Sequence, residues 1–182
     1  MSTKTLLTSE DLWKLVADGS RHELSKGELL LMTPVGMEHG AIVIKLGRLL
    51  SAYTEENRSG LVVTEAGFRL SRNPDTVRAP DVAFVPRDRL PMEGVPKKFA
   101  DFPPELAVEV LSPEDTASEM VRKVEEYLAG GVRLVWVVDP GTKTVTVYYS
   151  LQDAKILTAD QELDGGNVLP GFRAKMTELF AI

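Results

Sequence analysis

The chain has 182 residues, of which 43% are hydrophobic and 26% charged, and it contains no cysteine. This length and composition predict one globular domain over residues 1–182, and they exclude disulfides, thiolate metal sites and a cysteine nucleophile. The formal net charge of −6 argues against nonspecific coating of nucleic acid, which depends on Lys and Arg, although it is compatible with a local basic cleft.

Membrane and export signals are not expected in this sequence. No apolar run approaches the ~18 residues needed to cross a bilayer, and Glu10 and Asp11 precede any long apolar run near the N-terminus. A secretory signal is therefore not predicted. Because the chain has no cysteine, a reducing cytoplasm is the default location.

The N-terminal half alternates between helical and strand patterns. A helix is predicted where apolar residues recur at helical spacing, and strands where short apolar runs are bounded by turn residues such as Lys26 and Gly27. The predicted segments are, in chain order, a helix over 8–18, two strands within 22–33, a helix over 37–56, a strand–turn–strand over 60–70 and a strand over 79–85.

The C-terminal half contains a strand–helix–strand unit, which is normally a parallel crossover. Its helix is expected to be capped by Ser112 and ended by Gly130. The predicted segments are, in chain order, a proline-rich loop over 86–104, a strand over 104–112, a helix over 113–129, strands over 133–139 and 144–150, and two weak strands and a short helix within 154–182. The pattern predicts an α/β fold with a mixed sheet flanked by helices.

Glu109 lies in the centre of the apolar run over 106–111. Strand alternation places Glu109 on the same face as Ala107 and on the opposite face from Val108. An ionised carboxylate in apolar surroundings costs several kcal/mol unless it is paired or binds a cation. Glu109 is therefore a candidate site residue. The alternatives are a solvated strand end or an ion pair with a structural arginine.

Asp81 follows Pro80 at the start of the strand over 79–85, and a turn-forming aspartate is its simple alternative. If this strand runs antiparallel beside the strand over 104–112, Asp81 comes near Glu109. Two adjacent carboxylates repel each other unless a cation lies between them. Oxygen ligands without His or Cys favour Mg²⁺ or Mn²⁺.

Lys123 falls at the edge of the apolar stripe of the helix over 113–129. That stripe includes Val121 and Tyr127, whereas Glu126 is expected to point away from it. Helix and strand geometry leave a gap of roughly 8 Å between Lys123 and Glu109, and a lysine leaning toward the helix N-terminus spans most of it. The alternative is a lysine that snorkels over the edge of the core.

These motifs, in this order, resemble the Uma-two family of the PD-(D/E)XK restriction-endonuclease-like superfamily. The resemblance covers nearly the whole chain, and it implies a restriction-endonuclease-like core that performs metal-assisted phosphodiester hydrolysis. It rests on ELSKGELLLMTPVGMEHGAIVIKLGRLL (23–50), PDVAFV (80–85), PELAVEVLSP (104–113), Lys-x-x-x-Tyr (123–127), GGVRLVWVVDP (130–140) and VLPGF (168–172).

The resemblance assigns roles to individual positions. Asp81 and Glu109 become the catalytic and metal-binding carboxylates, with the backbone carbonyl of Val110 as a further ligand of Mg²⁺ or Mn²⁺. The usual motif has a lysine two residues after the acid, where this chain has Leu111. The family places that lysine on the following helix, which makes Lys123 the third catalytic residue.

Two accessory positions also belong to the resemblance, namely Glu28 at the start of a strand and His39 at the start of the long helix. A lone histidine near a helix start is more often a capping or packing residue than a functional one. Both positions are therefore accessory candidates.

The predicted function is a Mg²⁺-dependent endonuclease that acts on nucleic acid, with DNA as the expected substrate. The alternatives are a catalytically weak or inactive binding module on a nuclease fold, which the acidic net charge and Leu111 favour, and a hydrolase of another phosphate ester. Many endonucleases of the superfamily act as dimers, so a homodimer is a further expectation.

The loop over 86–104 carries four basic residues, and we expect it to flank the cleft and contact phosphate. The alternatives are a solvated surface or a dimer contact. The basic residues are Arg87, Arg89, Lys97 and Lys98.

Overall fold

The computed structural model describes residues 6–15, 19 and 21–181. The helices within this part of the chain are α1 (Ser9–Leu15), α2 (Met37–Asn57), α3 (Ala117–Ala129) and α4 (Met176–Leu179). The strands are β1 (His22–Ser25), β2 (Glu28–Leu31), β3 (Gly60–Val63), β4 (Phe68–Ser71), β5 (Thr76–Arg78), β6 (Val82–Pro86), β7 (Leu106–Val110), β8 (Leu134–Asp139), β9 (Thr144–Tyr148), β10 (Ala154–Leu157), β11 (Glu162–Gly165) and β12 (Leu169–Lys175). The end of the helix predicted over 8–18 lies outside the described residues.

The main sheet has six strands in the order β10-β9-β8-β7-β6-β3. β7 and β8 are parallel, with Val108 opposite Trp136, and α3 connects them along the chain. The other neighbouring strands of this sheet are antiparallel. The predicted mixed sheet with a strand–helix–strand crossover is therefore confirmed.

The helix α2 covers one face of the main sheet. Ile42, Leu46 and Leu50 recur at helical spacing, and they are buried together with Val108 and Trp136 of the sheet. A stripe with this spacing forms an amphipathic helix because it places the apolar side chains on one side. Burial of this stripe explains why a helix of 21 residues is stable on the surface of the domain.

The helix α3 covers the opposite face. There Ala107 and Val137 of the sheet pack against Val124 and Tyr127 of α3. The alternation predicted for β7 is confirmed, since Val108 belongs to the α2 side and Ala107 to the α3 side. Glu109 follows this alternation and therefore faces α3.

A second sheet has the order β2-β1-β5-β4, and its strand pairs are antiparallel. The predicted hairpin β1–β2 is confirmed, and Lys26 and Gly27 adopt positive φ angles of 49° and 79° in its turn, as a type I′ turn requires. β5 was not predicted, because three residues (TVR) give too short a pattern. Leu24 lies opposite Val77, so Glu23 and Arg78 are neighbours on the other face.

The helix α3 begins four residues later than the sequence predicts. Thr116 is its N-cap and forms a capping box with Glu119, in which each side chain accepts a hydrogen bond from the backbone N–H of the other residue. Ser112 instead belongs to a turn, since its N–H donates to Asp115 Oδ2 at 2.7 Å. The cap predicted at Ser112 is wrong because the reciprocal capping box satisfies two backbone donors at once.

The C-terminal segment contains one more strand than predicted. β10 joins the main sheet, and β11 and β12 form a separate hairpin before α4. Weak alternation in this region hid the third strand. The loop over 86–104 is irregular as predicted, apart from a short 3-10 turn at Arg87–Arg89 and an isolated bridge at Ala100. None of the helices in the described part of the chain is long and apolar enough to cross a membrane.

Candidate functional site

The strands β6 and β7 bring Asp81 and Glu109 together. Val82 is paired with Val108 in this antiparallel ladder, so the residue before Val82 stands opposite the residue after Val108. The Asp81 Oδ2 atom accepts the backbone N–H of Val110 at 2.7 Å, which fixes the carboxylate across the strand pair. The pairing that the sequence analysis made conditional is therefore present.

Glu109 is 4% exposed and has both carboxylate oxygens occupied. Its Oε2 accepts a hydrogen bond from Lys123 Nζ at 2.8 Å, and its Oε1 accepts one from the Tyr127 hydroxyl at 2.5 Å. Burial, together with the charges of Asp81 and Glu23, raises the pKa of Glu109 to about 7 against the opposing charge of Lys123. Glu109 is thus a carboxylate whose charge is costly at neutral pH.

Lys123 reaches Glu109 from the seventh position of α3. The contact was predicted, although the gap had been calculated for a helix that begins at residue 113. Its side chain is 13% exposed. Burial alone would lower the pKa of Lys123, but the charges of Glu109 and Glu23 outweigh burial and raise it above the ordinary value. Lys123 is therefore held as a cation.

Tyr127 lies one helical turn after Lys123 and is completely buried. Burial, together with the charge of Glu109, raises the pKa of Tyr127 well above its ordinary value. The hydroxyl therefore stays protonated and donates to Glu109. The sequence analysis assigned Tyr127 to the apolar stripe and missed this polar contact.

His39 is one of the two accessory candidates, and it lies at the site. Its Nε2 is 3.2 Å from Asp81 Oδ2. Its Nδ1 is buried without a hydrogen-bond partner among the described residues. Burial alone would lower the pKa of His39, but the hydrogen bond and charge of Asp81 outweigh burial and, with the Val110 carbonyl, raise it.

Glu28, the other accessory candidate, is exposed at the start of β2 beside the hairpin turn. The glutamate of this hairpin that the structure brings to the site is Glu23, whose Oε2 lies 3.8 Å from Lys123 Nζ. The sequence signals for Glu23 were its place in the first strand of the hairpin, opposite in face to the apolar Leu24, and its position at the start of the run over 23–50 that carries the resemblance.

Two expectations about α3 are wrong. Glu126 was expected to point to solvent, yet it is 7% exposed and paired with Arg78. Val121 was expected to belong to the buried apolar stripe, yet it is 52% exposed. The second sheet covers the side of α3 that carries Glu126, and its Arg78 supplies the compensating charge. Sequence periodicity within one helix does not reveal such a neighbour.

The loop over 86–104 does not place its arginines beside Asp81. Arg87 and Arg89 follow the last residue of β6, whereas Asp81 precedes its first residue. Arg89 is engaged with Glu105, and it donates to the Pro103 carbonyl at 3.0 Å. Because the two ends of a five-residue strand are roughly 16 Å apart, the expected contact of these arginines with substrate phosphate at the Asp81 site is not supported.

Lys98 of the same loop contacts α1. Lys98 Nζ sits 5.9 Å from the centre of the Trp13 ring. Trp13 and Phe99 form an edge-to-face pair with 5.1 Å between the ring centres. This part of the loop thus packs against α1.

The donor set at the strand ends can be tested for its fit to a metal ion. Among the described residues, no group of three or more His, Cys, Asp or Glu side chains is arranged to hold one. The set implied by the resemblance needs only two carboxylates and the Val110 carbonyl. The charge of Asp81 raises the pKa of Glu109, and a dication between them would relieve this repulsion. Each Glu109 oxygen accepts one hydrogen bond and retains further acceptor capacity, so the set fits a hard dication.

Comparisons with known proteins agree with this geometry. A family model named Uma2, described as "Putative restriction endonuclease", matches residues 9–177. A solved structure, "a putative nuclease belonging to DUF820 from Anabaena variabilis ATCC 29413", matches with a TM-score of 0.85 and 19% identity over 96% of this chain and 97% of that chain. This likeness shows the fold. A search of functionally characterised proteins gave no match.

Proposed function

The chain belongs to the Uma2 family, and on that premise we propose that it is a Mg²⁺-dependent endonuclease that hydrolyses phosphodiester bonds, with DNA as its substrate. One observation carries the proposal. Asp81, Glu109 and Lys123 come from two strand ends and one helix, and they meet in a single site. An acidic pair can hold a metal ion that activates water and neutralises charge on a phosphate, and the adjacent lysine supplies a fixed positive charge beside it.

Asp81, Glu109 and the carbonyl of Val110 would hold the ion. When bound, Mg²⁺ supplies charge neutralisation at the phosphate and activation of water. Mn²⁺ is expected to substitute for it, because both are hard ions that prefer oxygen ligands.

The side chains around the carboxylates have separate roles. The Val110 N–H and the Tyr127 hydroxyl hold the two carboxylates in place at 2.7 and 2.5 Å. Lys123 carries three N–H donors, only one of which is needed for Glu109. Its remaining donors would orient the attacking water or stabilise negative charge that develops on the phosphate.

The first test is cleavage of supercoiled plasmid and of labelled single- and double-stranded DNA and RNA, in Mg²⁺, Mn²⁺ or excess chelator. We expect cleavage with either ion and none with chelator. Asp81→Asn and Glu109→Gln should abolish cleavage, and Lys123→Met should slow it. Asp88→Asn, an exposed residue at the far end of β6, is the matched control and should retain full activity.

Metal binding by calorimetry separates an inactive enzyme from a wrong site. Wild type should bind Mg²⁺ or Mn²⁺, and both carboxylate variants should lose binding while circular dichroism stays unchanged. Binding of nucleic acid without cleavage under any of these conditions would favour the binding-module function instead. Cleavage that persists in Asp81→Asn would contradict the site.

A homodimer would address the two strands of a duplex with one active centre each, and we also propose that the protein works as a homodimer on duplex DNA. Light scattering during size-exclusion chromatography, with and without a duplex, measures this state directly. A monomer under both conditions, combined with nicking of only one strand, would contradict the dimer.

A further inference from the structure

A chain of alternating charges runs through the buried interface between the second sheet and α3. Its members are, in spatial order, Glu109, Lys123, Glu23, Arg78 and Glu126. Replacement of buried ion pairs by apolar side chains of similar volume is often neutral or stabilising. Stability alone therefore does not account for this arrangement, and its position next to the candidate site points to function.

Glu23 is the member that links Lys123 to the rest of the chain of charges, and its side chain is 1% exposed. Its Oε1 accepts a hydrogen bond from the backbone N–H of Ala79 at 2.7 Å, and its Oε2 accepts one from Arg78 Nη1 at 2.7 Å. The same Oε2 lies 3.8 Å from Lys123 Nζ. The carboxylate is thus fixed from two sides, and it presents negative charge to Lys123.

Arg78 is held in turn by Glu126. Its Nε and Nη2 both lie 2.7 Å from Glu126 Oε2. The Ser25 hydroxyl donates to the other oxygen of Glu126 at 2.5 Å. Because Glu126 follows Lys123 by three residues on α3, these contacts tie the second sheet to the helix within one turn of the lysine.

We propose that Glu23 is a positioning residue for Lys123, which it holds between two carboxylates so that the ammonium group faces the Asp81–Glu109 site. Glu23 acts through Lys123 and does not contact substrate. The inference rests on the proposed function, because that function gives Lys123 its role in cleavage.

Charge order explains why Glu23 would matter. Without its negative charge, Lys123 would face Arg78 across the same gap, and the two cations would repel each other. The ammonium group would then move away from residue 23 and toward Glu109, out of its native position. A displacement of about 1 Å from catalytic geometry can cost about 100-fold in rate.

The test uses Glu23→Gln, which keeps the size of the side chain and an acceptor for the Ala79 N–H. We expect kcat to fall about 10- to 100-fold with KM within about twofold, because Lys123 acts on charge that develops in the transition state. Glu126→Gln is the matched control, since it removes a buried carboxylate from the same Arg78 but leaves Glu23 beside Lys123. Equal losses of kcat in both variants at equal Tm would overturn the positioning role.

A second measurement does not require turnover. Crystal structures of the two variants give the distance from Lys123 Nζ to the nearest polar side-chain atom of residue 23, which is 3.8 Å (to Oε2) in the native protein. We expect it to lengthen by about 1 Å or more in Glu23→Gln and to stay unchanged in Glu126→Gln. An unchanged distance in Glu23→Gln would overturn the inference. If the wild type has no nuclease activity, that result contradicts the proposed function, whereas the measured distance still tests the position of Lys123.

If Glu23→Gln does not fold, Glu23→Asp and Glu126→Asp replace the pair, because both keep the buried charge. Glu23→Asp withdraws the carboxylate from Lys123 by about one carbon–carbon bond, about 1.5 Å. We then expect about a tenfold loss of kcat in Glu23→Asp and less than about a twofold loss in Glu126→Asp. Full activity in Glu23→Asp would overturn the role of Glu23.

Discussion

In the absence of metal, we expect the stability of wild type to fall relative to that of Glu109→Gln as the pH rises, although the substitution removes the proposed activity. Burial raises the pKa of Glu109 to about 7 from an ordinary value of 4.5. The folded protein therefore binds this proton more tightly than the unfolded chain does. The stability that this proton contributes is complete below about pH 4.5, and it is lost as the pH rises through about 7.

The size of the effect follows from the two pKa values. The difference of 7 − 4.5, at about 1.4 kcal/mol for each pH unit, amounts to about 3 kcal/mol. Glutamine has no proton to lose, so its contribution does not change over this range. The changed hydrogen bonds to Lys123 and Tyr127 add a constant offset. The charge of Glu109 also raises the pKa of His39, so its removal adds a smaller pH-dependent contribution.

The assay is urea denaturation of wild type and Glu109→Gln between pH 4.5 and 8.5 with chelator present. The free energy of unfolding of wild type should fall relative to that of the variant by about 3 kcal/mol, and the difference should level off above about pH 7. Glu119→Gln is a control. The side-chain hydrogen bond from Thr116 lowers the pKa of Glu119, so its stabilisation is retained above about pH 4.5 and the difference should stay nearly flat.

A rise in the stability of wild type relative to Glu109→Gln over the same range would refute this reasoning. That result would mean that the charge of Lys123, 2.8 Å away, outweighs burial. The pKa of Glu109 would then be lowered rather than raised, and the carboxylate would be ionised in the folded protein throughout this range.

Three further substitutions test contacts at and around the site. Tyr127→Phe removes the hydroxyl that donates to Glu109, and it should cost about 1.5–3 kcal/mol at pH 8 in urea denaturation; an unchanged free energy would argue against the hydrogen bond. Thr116→Ala removes the N-cap of α3 and should cost about 1 kcal/mol, seen as a lower Tm by circular dichroism with nuclease activity retained; an unaltered Tm would contradict the cap. Gly60→Ala would place a Cβ 2.2 Å from the carbonyl oxygen of Val85, so the strands β3 and β6 must shift. We expect a loss of about 1–3 kcal/mol in the free energy of unfolding measured by urea denaturation. Wild-type stability would contradict the close approach.

Much of the main sheet could be predicted from local patterns. The apolar run of β8, the alternation in β7 and the helical spacing in α2 each describe one element and the faces that it buries. The Asp81–Glu109 pair followed on the condition that the two strands are antiparallel neighbours, which places the start of one strand opposite the end of the next. The reach of Lys123 to Glu109 followed from helix and strand dimensions alone.

Predictions failed where short elements or distant partners decide the structure. β5 has three residues, too few for a periodic signal. The start of α3 was predicted from a cap at Ser112, but the reciprocal contact of Thr116 with Glu119 places it four residues later. The burial of Glu126 depended on Arg78, which lies 48 residues away along the chain.

The sequence by itself determined the fold class, the two strands that carry the acidic residues, and the helix that carries the lysine, because each depends on the period of one element. The antiparallel pairing of those two strands was a condition that the structure fulfilled. Only the tertiary structure decided that Glu23, Arg78 and Glu126 extend the chain of buried charges from Lys123. These side chains belong to the second sheet and to α3, and the contacts between them span 55 and 48 residues. Such contacts form when whole elements pack, and no local pattern specifies which buried charges will meet.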